Sequence, residues 1–307
     1  ALGAGGDTRK VQWSDREDNT VWTPLATNEA GDINLQTFGD IQCGHRVQGQ
    51  TLILTNQDAH SATYIGGQFV YSFERVGTSC GIIGKKAGAT VQGACFWMGT
   101  RGFYMYQGGA VKELQSTVDD HVFSNINLTS GSKVAAVTNS KFNEIWWFYP
   151  SDEATENDSY VVYNYKENTW FTGYMGRTCG TDLGAYKHPM FFCSTTCRPF
   201  IHEYGFDYGN LDAPWAESGP ISLGNGDNVM VATDLIPDEA TQGDVTATFK
   251  TRFHPNDTER SYGPYTMSNP TSVRFTGRQV RIRIDTERLS DWRVGTNRLE
   301  VKAGGRR

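Results

Sequence analysis

The chain has 307 residues, a mass of 34.1 kDa and a formal net charge of −6. Aromatic residues make up 12% of it and glycine fills 34 positions, which excludes a disordered chain and favours short strands joined by tight turns. No apolar run approaches the roughly 18–20 residues of a membrane helix, and the acidic balance argues against a protein that coats nucleic acid. The start, ALGAGGDTRK, has neither a methionine nor an apolar signal segment, so we expect a processed N-terminus or a longer parent chain.

Hairpins dominate residues 1–214. Apolar, aromatic-rich strands alternate with polar turns, which is typical of antiparallel sheets. Four such hairpins begin 43–50 residues apart, close to the roughly 40–50 residues of a propeller blade. They are TLILTNQDAHSATYIG, ACFWMGTRGFYMYQGG, EIWWFYPSDEATENDSYVVYNY and MFFCSTTCRPFIHEYG. Because four blades are the fewest that close a ring, the pattern predicts a β-propeller that is either small and complete or incomplete in this chain.

One segment within this region has helical spacing. Between Val111 and Ile126, apolar residues recur every four positions, at Leu114, Val118 and Val122. This spacing places them on one face of a helix. We therefore predict one short amphipathic helix over Val111–Ile126.

The composition changes near residue 214. Beyond APWAESGPISLGNGD the aromatic hairpins stop, and apolar and polar residues alternate in VTATFKTRFH, SVRFTGRQVRIRID and NRLEVKAG. In QVRIRID, this alternation turns Val280, Ile282 and Ile284 towards one face and the charged residues towards the other. The sequence thus predicts an all-β protein, with a β-propeller over 1–214 followed by a C-terminal β-sandwich over 215–307.

Positive charge is concentrated at the C-terminal end. Residues 271–307 hold ten basic and four acidic residues, whereas residues 1–270 hold 18 basic and 30 acidic ones. Such a split is compatible with ordinary solvated arginines, or with a basic surface that docks on an acidic partner such as another copy of the chain. The candidate subunit-interface residues are Arg278, Arg281, Arg283 and Arg293.

The six cysteines show no zinc-binding spacing. Cys193 and Cys197 flank a predicted turn, so a local disulfide and a pair of free thiols are both compatible with the sequence. Free thiols are the preferred interpretation, since cysteine in a reducing compartment behaves as a small buried apolar residue.

No motif for catalysis, cofactor binding or metal binding is present: the phosphate loop, the dinucleotide fingerprint, GxSxG and HExxH are all missing. The acids of Glu153–Asp158 lack the order of a calcium-binding loop. His202–Glu203 is the most enzyme-like pair, but neighbouring strand residues point to opposite faces, so we interpret it as a polar strand end before a turn. We expect no enzymatic activity, no cofactor and no metal.

Several segments resemble a family of virion proteins. WSDREDNTVWTP with LQTFGDIQCGHRVQGQTLILTN is similar to the central propeller of the tail nozzle, tail tubular or packaged-DNA-stabilisation proteins of short-tailed bacteriophages. FWMGTRGFYMYQGGAVKEL, NEIWWFYPS and SYVVYNYKENTWFTG look like further blades, and WRVGTNRLEVKAGGRR looks like the C-terminus. The likeness spans nearly the whole chain, which looks shorter at the N-terminus than family members.

The resemblance implies a structural protein of the phage tail, made in the bacterial cytoplasm and located in the virion. Its partners would be other copies of itself in a six-fold ring, portal and adaptor proteins above, and tail fibres or spikes outside. Genomic DNA would pass through the ring during ejection, and an acidic body would avoid adhering to it because like charges repel.

Two other functions remain open on the same fold, since a propeller does not determine function. A receptor- or glycan-binding propeller needs an exposed aromatic shelf near Asp and Asn side chains, and Trp146–Tyr149 with the ENDSY segment is the best candidate. A glycan hydrolase needs two carboxyl groups that converge in one pocket with perturbed acidity.

Overall fold

The computed structural model divides the chain into two compact units, Ala1–Tyr204 and Gly205–Arg307. The change of composition predicts this boundary at residue 214, about ten residues later. The structure describes residues 1–205, 213–224, 228–238, 241, 243–267, 270–286 and 291–305. No helix in these ranges is long and apolar enough to cross a membrane.

The first unit contains five antiparallel sheets, each built from consecutive strands. Sheet 1 has two strands, sheets 2, 3 and 4 have four each, and sheet 5 has three. Sheet 1 comprises β1 (Lys10–Trp13) and β2 (Gly31–Asn34), and sheet 2 comprises β3 (Ile41–Val47), β4 (Gln50–Thr55), β5 (Ala59–Tyr64) and β6 (Tyr71–Gly77). Sheet 3 comprises β7 (Gly88–Val91), β8 (Ala94–Met98), β9 (Phe103–Gln107) and β10 (Ala110–Leu114). Sheet 4 comprises β11 (Ala135–Asn139), β12 (Glu144–Tyr149), β13 (Ser159–Asn164) and β14 (Thr169–Tyr174), and sheet 5 comprises β15 (Cys179–Thr181), β16 (Met190–Cys193) and β17 (Arg198–Ile201).

Three of the four hairpins recognised in the sequence form the central strand pairs of sheets 2 to 4, and the fourth forms the β16–β17 pair of sheet 5, in which β17 is an edge strand. In sheets 2 to 4 the apolar runs are continuous because the central strands are covered on both faces by neighbouring sheets. All five residues of β8 are buried, as are the last five of β12. Between sheets 3 and 4, for example, the rings of Phe103 and Trp147 pack with centroids 5.0 Å apart.

Successive sheets meet through their first strands, which is the arrangement of propeller blades. Strand β7 lies beside β3 and β11, and β15 lies beside β11. Glycines permit this close approach. A Cβ atom at Gly88 would lie 2.7 Å from His45 Nε2, and one at Gly180 would lie 2.9 Å from Val137 Cγ1. The predicted fold class, a propeller-like series of antiparallel sheets in an all-β protein, is confirmed.

Buried hydrogen bonds fix the loops between strands. In the β4–β5 turn, Asp58 Oδ1 accepts bonds from the hydroxyl groups of Thr37 and Thr55, at 2.8 and 2.6 Å. In the β12–β13 loop, Asp158 Oδ2 accepts a bond from Ser151 Oγ at 2.6 Å. Each aspartate therefore ties residues of its turn together through side-chain hydrogen bonds.

The predicted helix over Val111–Ile126 is wrong in its first part. Ala110–Leu114 forms strand β10, and helix α1 extends only from Asp119 to Asn125. Backbone pairing with β9 overrides the helical spacing, because strand formation satisfies donors and acceptors at the outer edge of sheet 3. Short 3-10 helices cover Ala4–Gly6, Gly67–Phe69 and Leu128–Lys133.

The second unit is a sandwich of two antiparallel sheets, as the sequence predicts. Sheet 6 runs in the order β18 (Trp215–Glu217), β24 (Gln279–Thr286), β21 (Val245–Arg252), β22 (Arg260–Thr266), with β19 (Ile221–Ser222) also paired to β24. Sheet 7 runs in the order β23 (Thr271–Gly277), β20 (Met230–Ile236), β25 (Arg298–Ala303). Phe249 of sheet 6 stacks on Phe275 of sheet 7 with ring centroids 4.7 Å apart, at the centre of the core.

Candidate functional site

The predicted interface arginines lie at three places in the second unit. Arg281 and Arg283 are two positions apart on β24, on the face of sheet 6 that points away from Val280 and the core. Arg278 is half-buried in the turn before β24, and Arg293 is exposed beyond the described end of that strand. The structure therefore brings Arg281 and Arg283 together on one surface.

Both arginines surround Glu217, whose side chain is only 8% exposed. One Glu217 oxygen contacts Arg281, and the other lies 2.8 Å from Lys250 Nζ and 3.9 Å from Arg283 Nη1. Short strand β18 supplies this carboxylate by pairing with β24. A carboxylate shielded from water interacts with several cations more strongly than an exposed one does.

Two further acids complete the network. Glu259 lies 3.4 Å from Arg281 Nη1, and Asp285 lies 2.8 Å from Arg283 Nη2. Hydrogen bonds to Asp285 and the nearby negative charges raise the pKa of Arg283. Because three cations face three carboxylates here, this part of sheet 6 is balanced in charge and fixed in geometry. The sequence indicated an excess of positive charge but gave no sign of these internal partners.

Trp215 stands beside this network and is 49% exposed. The guanidinium carbon of Arg283 lies 4.4 Å from the centre of the Trp215 ring, within the range of a cation–π contact. Tryptophan and arginine are the residue types that most often dominate the energy of protein interfaces. We name Trp215, Glu217, Lys250, Arg281 and Arg283 the sheet 6 patch.

The predicted aromatic shelf at Trp146–Tyr149 does not exist, because all four side chains are at least nine-tenths buried. They pack in two core clusters on opposite faces of β12, so this strand is covered on both faces. Asp158 of the adjacent loop is engaged by Ser151.

An aromatic groove lies instead between sheet 1 and strand β6, with a volume of about 390 Å³. Trp13 forms its floor, with its ring centroid 5.3 Å from that of Tyr71 and its Nε1 donating to Glu29 O at 2.8 Å. Phe69 is 73% exposed at the rim. Asn28 and Asp32 also line the groove.

The His202–Glu203 pair follows the end of β17, and its two side chains diverge as predicted. His202 Nε2 accepts a bond from Arg177 Nε at 3.2 Å, and burial together with the Arg177 charge lowers the pKa of His202 to about 4. Glu203 instead accepts a bond from Asn139 Nδ2 at 3.1 Å, and the same nitrogen donates to Glu144 Oε2 at 3.3 Å. Burial and the neighbouring charge of Glu203 raise the pKa of Glu144.

A cysteine–histidine pair that no sequence motif indicates lies on β3. Cys43 Sγ is 3.6 Å from His45 Nε2, since residues two apart share one face of a strand. Burial raises the pKa of Cys43 to about 11 and lowers that of His45. A catalytic cysteine requires the opposite shift, so this pair lacks the character of an activated nucleophile. All six cysteines are free thiols, including Cys193 and Cys197.

Comparisons with known proteins do not identify a family. No family model matches the sequence, and no curated protein matches it. Among solved structures, the Pan2 WD40 domain of Neurospora crassa is similar at 11% identity and a TM-score of 0.33, over 78% of this chain and 67% of that one. A structure described as a glycoside hydrolase has 8% identity and a TM-score of 0.27, over 78% of this chain and 80% of its own. Likenesses this distant carry no argument about activity.

Proposed function

We propose that this chain is a structural protein of a short-tailed phage tail, forming part of the nozzle or hub ring that channels DNA out of the capsid. The sheet 6 patch is the observation that carries the proposal. It combines an exposed tryptophan with arginines whose positions are already fixed by Glu217, so little side-chain entropy is lost when a partner binds. The resemblance of the sequence to tail nozzle proteins supports a ring of copies of this chain as the assembly.

In such a ring, Trp215 and Arg283 insert into a different surface of the next copy, as head-to-tail rings require. The family resemblance also provides the other contacts of the proposed role, with portal or adaptor proteins, with tail fibres or spikes, and with DNA in transit. The chain acts in this role as a scaffold in the virion, without catalysis.

The test is the native mass and symmetry of the purified chain, measured by native mass spectrometry and electron microscopy. We expect closed rings of six copies. Trp215→Ala removes the exposed anchor and leaves the ion pairs in place, so it should yield folded monomers. Tyr186→Ala removes a comparably exposed aromatic residue of the first unit and serves as the matched control. A wild-type chain that stays monomeric at high concentration would refute the proposed role.

A glycan-binding propeller is the second candidate, favoured by the groove beside Trp13. Aromatic rings stack on the apolar faces of sugars, and Asn28 and Asp32 provide polar groups for hydroxyls. A glycan array with the wild-type chain and Tyr71→Ala tests this function. Binding that is lost in the variant would support it, and absence of binding across the array would remove it.

A further inference from the structure

Strand β2 leaves one edge of sheet 1 open. Among the strands that the structure describes, β2 pairs only with β1. The other edge of β1 is occupied, because residues 1–3 lie along it and Gly3 N donates to Lys10 O at 2.8 Å. Sheet 1 therefore ends at β2, whereas sheets 2, 3 and 4 extend to four strands.

The free backbone groups of this edge belong to Asp32 and Asn34. Just beyond the β1–β2 ladder, Leu35 N donates to Arg9 O at 3.0 Å. Since bonded residues alternate along an antiparallel pair, Ile33 is the next residue of β2 that is bonded to β1. Asp32 and Asn34 therefore turn their N–H and C=O groups away from β1, and in the described part of the chain these groups have no hydrogen-bond partner.

A cavity opens on each face of β2. On one face lies a polar cavity of about 500 Å³. The polar side chains that line it are those of Asp7, Lys10, Asp32 and Asn34. On the other face, Ile33 borders the aromatic groove. Because successive side chains of a strand point to opposite faces, a strand added beside β2 would direct its side chains alternately into the two cavities.

The two cavities favour different side chains. In the polar cavity, the carboxylates of Asp7 and Asp32 face a single cation, Lys10, which pairs with Asp32. This excess of negative charge favours lysine or arginine in the added strand. In the aromatic groove, exposed Phe69 and the rings of Trp13 and Tyr71 favour an apolar or aromatic side chain.

We propose that β2 binds an extended segment of a partner protein by strand addition, and that apolar or aromatic residues alternate with lysine or arginine in this segment. Main-chain hydrogen bonds to Asp32 and Asn34 supply the affinity, and the two cavities supply the specificity. A second copy of the chain is the poorer occupant, because β2–β2 pairing brings together two polar cavities of the same charge. The inference does not depend on the tail ring proposed above.

Fluorescence polarisation with labelled synthetic peptides and the full chain tests the edge. The probe is the peptide KFKVKFK, which alternates basic and apolar residues. The peptide KKKKFVF has the same composition without the alternation, and EFEVEFE reverses the charge. We expect KFKVKFK to bind at least about tenfold more tightly than either of the others.

Variants of Asn34 separate the backbone from the side chain. Asn34→Pro removes the outward N–H group, which an edge strand tolerates because that group takes no part in the ladder. Asn34→Ala also loses the side-chain bond to Asp7 but keeps the N–H group, so it is the matched control. We expect Asn34→Pro to weaken the binding of KFKVKFK at least about fivefold, and Asn34→Ala to retain it.

Phe69→Ala tests the aromatic groove. This substitution should weaken KFKVKFK about fivefold, since it removes the most exposed aromatic ring of the groove. Phe142→Ala, at an exposed phenylalanine in the β11–β12 turn, should leave the binding unchanged. Sugar binding in the groove needs no backbone group of β2, so Asn34→Pro should not affect it, and the two functions of the groove can be distinguished.

The proposal is overturned if no peptide binds, if KKKKFVF binds as tightly as KFKVKFK, or if Asn34→Pro binds like Asn34→Ala. It is also overturned if the wild type forms dimers that Asn34→Pro abolishes, because a second copy then occupies the edge. Circular dichroism shows whether the variants fold. If Asn34→Pro does not, hydrogen exchange of the wild type decides: KFKVKFK should slow exchange of the Asp32 and Asn34 amides, and unchanged exchange would overturn the proposal.

Discussion

Neutralising Glu217 should destabilise the second unit by about 2 kcal/mol. Glu217→Gln preserves the shape of the side chain but leaves Lys250, Arg281 and Arg283 without their shared counter-charge. Breaking a fully buried ion pair costs about 3–5 kcal/mol, whereas exposed pairs contribute about 0.2–1 kcal/mol. Glu217 is 8% exposed and its partners are 26–36% exposed, which places the expected loss between these limits.

Urea unfolding followed by circular dichroism and tryptophan fluorescence measures this loss. The matched control is Glu300→Gln, whose pair with Lys302 is 51% and 68% exposed, so its effect should stay below about 0.5 kcal/mol. Raising the salt concentration to 1 M should reduce the difference in unfolding free energy between Glu217→Gln and the wild type, because the Debye length falls to about 3 Å and the ion pairs are screened. A Glu217→Gln variant as stable as the control would refute the assignment of Glu217 as the centre of the network.

Arg281 and Arg283 stabilise the sandwich through Glu217, so substituting them affects folding as well as ring assembly. Reversing the charges of Arg281 and Arg283 should weaken ring assembly, as the charge distribution predicts, but these substitutions also place new carboxylates beside Glu217. The sandwich itself would lose stability, and assembly would fail for that reason alone. Trp215→Ala separates the two effects because Trp215 takes no part in the ion pairs.

Two further predictions concern the first unit. Gly180→Val should lower the free energy of unfolding in urea by about 2–3 kcal/mol, because even its Cβ atom would lie 2.9 Å from Val137 Cγ1. The control is Gly184→Val, at a glycine with open space around its Cβ position, and its effect should be much smaller. The pKa of His202 is about 4 in the folded chain and about 6.5 in the unfolded chain. Between these pH values the unfolded chain binds a proton that the folded chain does not bind. The free energy of unfolding should therefore fall as the pH drops across this range, by less than about 3 kcal/mol. His202→Gln should flatten that slope, and an unchanged slope would contradict the role of this histidine.

Local pattern was enough to predict much of the fold. Runs such as ACFWMG and EIWWFY are long enough, and apolar enough on both faces, that only a strand covered on two sides accommodates them. The prediction failed at Val111–Leu114, where the spacing of apolar residues suits a helix. The segment is a strand because its backbone pairs with the neighbouring strand β9.

The candidate sites were harder to predict. Asn139 and Glu203 are 64 positions apart and meet only because sheets 4 and 5 are adjacent. Glu217 lies in the segment where the composition changes, and a strand of three residues leaves too short a pattern to recognise. The arginines of β24 were visible in the sequence, whereas their acidic partners come from other strands and loops.

The order of the sheets has a consequence for synthesis of the protein. Every sheet of the first unit is made from consecutive strands, and each first strand from β7 onwards lies beside that of the preceding sheet. Sheets 2 and 3 can therefore pair and pack as soon as Leu114 has left the ribosome, before β11 emerges. The unit is suited to vectorial folding, in which each newly emerged sheet finds a finished surface on which to pack.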